Sequence, residues 1–391
     1  MKITGVETLI CNAGWRPWEF VKIQTDEGIT GYGECSDSYN PYGIAGCVHD
    51  LLPVLLGRDP RAVEVLNAEM VRVMRQSPGG VGQKALAGID AALWDIKAKA
   101  LGVPVYELFG GPTREKIRLY WSHCGTTRAR AATLIGAPPL RTLADVARLG
   151  EEVVRRGFTA LKTNIFVPGD PPTMHRPGFA GAYPGVADLN ADRAVVRQAE
   201  NLVGTFREAV GPNVDIALDL NFNFKTEGYI RLARAMEPYD LMWLELDTYD
   251  PAALLQIKQS TKTPITSGES LYTPRGYKPF LDLHAMDVVV IDVPWNGFTV
   301  SKKIADLVEL YELNFAPHNY YSHLSTLMSA HLCAVAGNVR ILEIDIDDVP
   351  WKDDLITEPL EIEEGHLVLP KRPGWGADLN EKEVAKHPWP R

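Results

Sequence analysis

Apolar residues recur along most of this chain in short runs, each closed by a polar or charged residue at a nearly fixed interval. The runs cover 214–218, 240–244, 264–268, 288–291, 313–317 and 339–342. They are closed by Asp219, Glu245, Glu269, Asp292, His318 and Glu343. The steps between those six are 26, 24, 23, 26 and 25 residues, each about the length of one strand and one helix. Two further strands precede them, Ile117–Trp121 and Ala160–Asn164, which makes eight strands from Ile117 to Ile344. The pattern predicts a (β/α)8 barrel. Polar residues at the C-terminal ends of its strands lie where such a barrel keeps its active site.

The N-terminal pattern is different. Ile3–Ile10, Phe20–Thr25 and Thr30–Glu34 read as strands, the last two joined by the turn Asp26-Glu27-Gly28. Helical periodicity follows over 43–75 and 80–102. In the second stretch Val81, Ala85, Ile89, Ala92, Leu93 and Ile96 share one side. An antiparallel meander followed by helices, placed before a βα series, predicts a separate α+β domain. The expected division is an α+β capping domain over 1–114, the barrel over 115–350, and a segment over 351–391 returning to the capping domain. A Pro/Gly-rich loop over 165–188 falls at the barrel mouth, and a loop of that length is more often functional than idle.

Composition adds exclusions. The 391 residues carry a formal net charge of −10, which disfavours nucleic acid and anionic membrane as partners. It leaves room for an anionic small molecule at a local cation. The five cysteines show no C-x-x-C spacing, so a reducing, cytoplasmic setting is expected. No apolar run is long enough for a signal or membrane segment. No Gly-rich loop follows strands seven or eight, which argues against a phosphate site.

Asp219, Glu245 and Glu269 close three successive strands. Three hard oxygen donors converging from neighbouring strands suit Mg²⁺ with positions left for water and substrate. A single acid after a strand would ordinarily cap the next helix, but capping does not call for acids at three strands in a row. Asp247 competes with Glu245 for the strand-four position. Lys162 lies on an otherwise apolar strand, where burial without a partner would be costly. Asn221 is either a substrate contact or a turn residue. His323 and His331, on the helix after strand seven, read as packing or surface residues.

These positions, with Ala91-Ala92-Leu93-Trp94-Asp95, Leu108-Phe109-Gly110-Gly111 and Pro373-Gly374-Trp375-Gly376, resemble the enolase superfamily in its mandelate racemase-like subgroup of acid-sugar dehydratases. The resemblance implies Mg²⁺ held by Asp219, Glu245 and Glu269, and a His–Asp dyad of His318 and Asp292. It matches Glu343 to the glutamate that stabilises an enediolate, here expected as a protonated donor. It matches Lys162 to the first lysine of a K-x-K motif. The second lysine, a base on the opposite face in racemases, is replaced by Asn164, and the usual Glu-Glu-Pro of strand four reads Glu245-Leu246-Asp247. The loops 12–18 and 36–41 correspond to those that close the site in relatives. Trp15 is expected to exclude water, Arg16 to bind a distal carboxylate or hydroxyls, and Tyr39, with Asn164 and Asn221, to touch substrate. Ordinary exposed loops are the alternative. A homo-oligomer is also implied, as is a small-molecule sugar-acid substrate.

The expected chemistry is removal of the proton beside a carboxylate by His318, followed by loss of water to give a 2-keto-3-deoxy acid. Racemisation needs an acid or base on each face, and an amide cannot titrate near neutral pH, so Asn164 favours dehydration. The alternatives are a racemase or epimerase of a 2-hydroxy acid, or a non-catalytic relative that binds metal and acid sugar.

Overall fold

The computed structural model describes residues 1–179 and 188–390. Eight parallel strands close on themselves: Lys116–Ser122, Ala160–Asn164, Asp215–Asp219, Trp243–Glu245, Ile265–Ser267, Val288–Asp292, Asn314–His318 and Leu342–Asp345. The last pairs with the first, Leu342 opposite Leu119. The seventh reaches the eighth through a bridge between Phe315 and Val339 and the Arg340 amide donating to the Phe315 carbonyl at 2.8 Å.

Side chains alternate along each strand, so every second residue enters the barrel. Tyr120, Ala160, Ala217, Trp243, Val288, Ala316 and Ile341 form a separate buried apolar cluster there. The three alanines leave room for Trp243, which meets Tyr120 edge-on with ring centroids 5.7 Å apart. Two residues further along the same inward faces come Ser122, Lys162, Asp219, Glu245, His318 and Glu343. A polar layer therefore sits directly on an apolar floor. Register places Asn164 beside Asp219, Asp219 beside Glu245, and Asp292 beside His318.

Two strands depart from the sequence expectation. The fourth begins at Trp243 rather than Asp240, because Glu237–Tyr239 forms a 3-10 turn and Asp240 takes a left-handed φ of 49°. The eighth begins at Leu342, not Val339, so Glu343 is the second residue of the strand and not its closing residue. Its carboxylate is consequently set down inside the barrel.

The N-terminal strands Ile3–Asn12, Pro17–Thr25 and Thr30–Glu34 form an antiparallel meander. The expected helical stretch over 43–75 is two helices, Pro41–Leu55 and Val63–Val73. Helix Gly80–Leu101 is buried on nearly all sides between Lys84 and Ile96, not on one side only. It lies between the meander and barrel segments such as Val293–Asn296. The third strand reaches its backbone directly: a Cβ at Gly33 would stand 2.1 Å from the Gly88 carbonyl oxygen. The C-terminal segment returns here. Asp95 accepts from the Tyr32 amide at 3.0 Å and the Trp375 amide at 3.1 Å. Among the described residues no helix is long and apolar enough to cross a membrane.

Candidate active site

A cavity of about 350 Å³ opens at the C-terminal ends of the strands, beneath the loops of the capping domain. Its lining includes Asp219, Glu269, His318, Asn164 and Asn221, together with Trp15 and Tyr39 from above.

At its centre is the pair His318–Asp292. Asp292 Oδ2 accepts from His318 Nδ1 at 2.6 Å and from the Tyr321 hydroxyl at 2.7 Å. Its Oδ1 accepts the Trp295 amide at 2.8 Å, capping Val293–Asn296. Because a carboxylate can only accept here, the proton sits on Nδ1 and Nε2 is the nitrogen presented outward. Nε2 stands 3.4 Å from Glu269 Oε2. Burial alone would lower the His318 pKa, but Glu269 and Asp292 hold it well above the ordinary imidazole value.

Lys162 is buried and anchors the other side. Its Nζ lies 3.1 Å from Glu245, 2.9 Å from Glu343 and 3.8 Å from Asp219. Burial disfavours the ammonium, yet the surrounding carboxylates, Glu245 first, hold its pKa well above the ordinary lysine value. Glu343 also accepts from Ser122 and from the Asn319 amide at 2.7 Å. Burial would raise its pKa, but Lys162 and His318 keep it below the usual carboxylate range. Lys162, Ser122 and the Asn319 amide all turn donors to Glu343, so in this arrangement it accepts, where a protonated donor was expected.

Asp219 is fixed by its neighbour. Asn221, in a left-handed conformation at φ 46°, donates its amide to Oδ1 at 2.8 Å and its side chain to Oδ2 at 2.9 Å. Asn164 donates to the Asp219 carbonyl and to Asn221 Oδ1, each at 3.1 Å. Both asparagines thus brace the third strand's end as well as line the cavity. Glu269 follows Gly268, whose φ of 123° suits glycine and whose Cβ would meet the Val290 carbonyl at 2.8 Å.

Asp219, Glu245, Glu269 and Asp247 offer only hard oxygen donors. Burial drives the Glu245 pKa up to about 8 against the pull of Lys162. It likewise raises Glu269 and, with Glu269 and Asp219 adding, Asp247. Asp247 Oδ2 is buried without a partner. So many carboxylates against two cations is a deficit of positive charge, and it fits a divalent ion. Among the described residues no three such groups already surround one point. Glu245 is turned to Lys162 and Glu269 to His318, so these two side chains hold the charges in balance.

Of the cap residues, Trp15 lines the cavity and donates to the Tyr320 hydroxyl oxygen at 2.6 Å. Tyr39 is 57% exposed at the rim. Arg16, expected as a substrate-binding cation, also lines the cavity. It is 1% exposed, and its Nη2 lies 2.8 Å from Asp348. Its guanidinium carbon sits 4.1 Å from the Tyr320 ring centroid and 4.7 Å from that of Trp15. Its charge is spent on joining cap to barrel. From the long loop, Phe166–Val167 and Thr173–Met174 form a small hairpin, and His175 and Arg176 line the cavity. Residues 180–187 of that loop lie outside the described residues. His323 pairs with Asp353 at 2.7 Å, and His331 bridges the Tyr106 amide and the Trp375 carbonyl, each at 3.1 Å.

Sequence reasoning missed Tyr321, Trp295, Lys84 and Ser122. Trp295 donates its indole N–H to the Ser36 carbonyl at 2.8 Å, and Lys84, paired with Asp37, lies 3.6 Å over its ring. The adjacent tyrosines after His318-Asn319 were the available signal for Tyr321. Nothing local marks the others.

Residues 145–383 match the enolase C-terminal domain-like family, and 10–110 match the mandelate racemase/muconate lactonizing enzyme N-terminal domain. The chain belongs to the enolase superfamily. Within it, a D-xylonate dehydratase of Haloferax volcanii is 32% identical, with 99% of this chain and 89% of that one aligned. A D-galactonate dehydratase of Ralstonia pickettii is 30% identical over 98% of this chain and 94% of its own. A solved enolase-superfamily structure from Burkholderia xenovorans, provisionally named an L-alanine-DL-glutamate epimerase, is 42% identical with a TM-score of 0.95. It covers 99% of this chain and 98% of that one. The same protein was also solved with magnesium and fumarate, at 42% identity and TM-score 0.95, covering 99% of this chain and 96% of that one.

Proposed function

We propose that this enzyme is a Mg²⁺-dependent hydro-lyase that dehydrates a sugar acid to a 2-keto-3-deoxy acid. The observation that carries the reading is the one-sidedness of the site. A tautomer-fixed His318 faces the cavity from the seventh strand, and the second strand offers Lys162, tied to Glu245 and Glu343, and the amide of Asn164. The dehydratases at 32% and 30% identity support it, as does the relative solved with magnesium and a small carboxylic acid.

Asp219, Glu245 and Glu269 are the proposed Mg²⁺ holders. The ion, when bound, supplies positive charge against the negative charge that builds on the acid's oxygens. Lys162 adds a second cation from the floor of the site, positioned by Glu343. His318 Nε2, neutral once Glu269 is given over to the ion and no longer pairs with it, takes the proton from the carbon beside the carboxylate. Asp292 fixes the ring and balances the imidazolium as it forms. The hydroxyl on the next carbon leaves as water, taking the proton from the His318 imidazolium as the bond breaks, and the enol then tautomerises to the keto acid. Trp15 and the cap loops shield the cavity from bulk water. An epimerase would need a second acid or base in place of Asn164.

The test is a screen of an acid-sugar library with Mg²⁺, reading 2-keto-3-deoxy products as semicarbazones, with every hit repeated on His318→Asn. Loss of a general base of this kind costs about 10²–10⁴-fold in rate, so the variant is expected to be silent. Turnover that survives the substitution would sink the assignment of His318.

A further inference from the structure

Arg130 differs from Arg16 and Lys84, which line the same cavity. It lies in helix Thr126–Ile135, after the first barrel strand, and it lines the cavity. Arg16 is committed to Asp348, Lys84 to Asp37, and Arg128 to Glu152 and Asp347. Arg130 has no ion pair among the described residues, and 180–187 contain no Asp or Glu. Its Nη1 donates to the Tyr320 hydroxyl oxygen at 2.9 Å, while its Nε is buried with no acceptor among the described residues.

Tyr320 completes the surface. Its oxygen accepts from Trp15 at 2.6 Å and from Arg130 at 2.9 Å. The hydroxyl proton must therefore point away from both donors. Both side chains line the cavity, and the guanidinium offers donors and no acceptor. A planar fork of donors matches a carboxylate. A sugar hydroxyl, which needs an acceptor for its own proton, matches it poorly. Arg176, also on the lining, has no ion pair among the described residues either.

The location gives the wall its meaning. Arg130 follows the first strand and Glu269 the fifth, which stand opposite one another in a closed barrel of eight. We propose that Arg130, with Tyr320, binds a second carboxylate at the end of the substrate remote from the reacting carbon. The substrate is then a two-headed aldaric acid, not an aldonic acid of the kind named for the dehydratase relatives. This rests on the sugar-acid dehydratase reading above.

The test compares each aldarate with the aldonate of the same configuration, on the wild-type enzyme and on Arg130→Met. Methionine keeps much of the apolar stem without the donors. The wild type is expected to favour the aldarate by about a hundredfold in kcat/KM. Arg130→Met is expected to cut that ratio at least about tenfold through KM, the scale of losing one charge-assisted hydrogen bond. A wild-type ratio at or below unity, or one that the variant leaves unchanged, overturns the proposal. Calorimetric titration of the Mg²⁺-loaded protein with glucarate and gluconate separates this inference from the reading it rests on. If no acid turns over, dehydration fails, yet selective weakening of glucarate by Arg130→Met still carries the second carboxylate site. Equal weakening of both acids overturns it.

Discussion

Two arginines show how residue identity divides from residue role. Arg16 and Arg130 both reach the Tyr320 group, and among the described residues only the first has an ion pair. Arg16 faces Asp348 inside the protein, and removing one partner of a buried ion pair costs about 3–5 kcal/mol. Lys352, 3.1 Å from Asp348, softens that loss. Arg16→Met should lower unfolding free energy by roughly 3 kcal/mol, read from a denaturant midpoint. Unchanged stability with a raised KM would return Arg16 to the substrate site. The sequence placed Arg16 on a loop that closes the site, which is where it lies. It could not show that Asp345 and Asp348, more than 300 positions away in the chain, would take its charge. Asp219, Asp292 and His318 were legible because each ends a strand, and position on a strand fixes direction. The role of Glu343 was not, because it depends on depth within the barrel and on the ammonium of Lys162.

At the scale of elements, periodicity located all eight barrel strands, and the second matches its expected bounds residue for residue. The misplaced strands are those whose ends are set by backbone conformation, as at Asp240, or by closure of the barrel, as at Leu342. Helix Gly80–Leu101 misled for a different reason. One apolar side was visible in the sequence, but the small residues of the other sides are also buried once sheet and barrel enclose it. Helix His323–Val335 carries a consequence for pH. His331 is buried there, with both ring nitrogens engaged, and burial lowers its pKa to about 4. Between pH 6.5 and 4 the unfolded chain binds a proton that the folded one does not. The stability from this histidine is complete above pH 6.5 and falls away as pH drops toward 4, by up to about 3 kcal/mol. Thermal melts of the wild type and His331→Gln over that range should show a shallower acid loss in the variant. Parallel curves would mean that His331 titrates normally.

The whole molecule joins a barrel that carries the acids and the His318–Asp292 pair to a cap that covers them. The two are tied by Arg16–Asp348, by Trp295 to Ser36, and by Glu34, which accepts from Ser322 and Ser325 of the barrel. Against a net charge of −10, Arg130 and Arg176, without ion pairs among the described residues, put positive charge on the cavity wall. What the assembled site can do follows from its asymmetry: one imidazole base, and an amide where a second base would stand. Turnover in D₂O reads that asymmetry directly. With the best acid substrate at partial conversion, the 2-keto-3-deoxy product should carry solvent deuterium at the carbon that lost its hydroxyl. The recovered substrate should keep its configuration at the carbon beside the carboxylate. Recovery of the inverted epimer, deuterated at that carbon, would contradict the account and make the enzyme an epimerase with a base on each face.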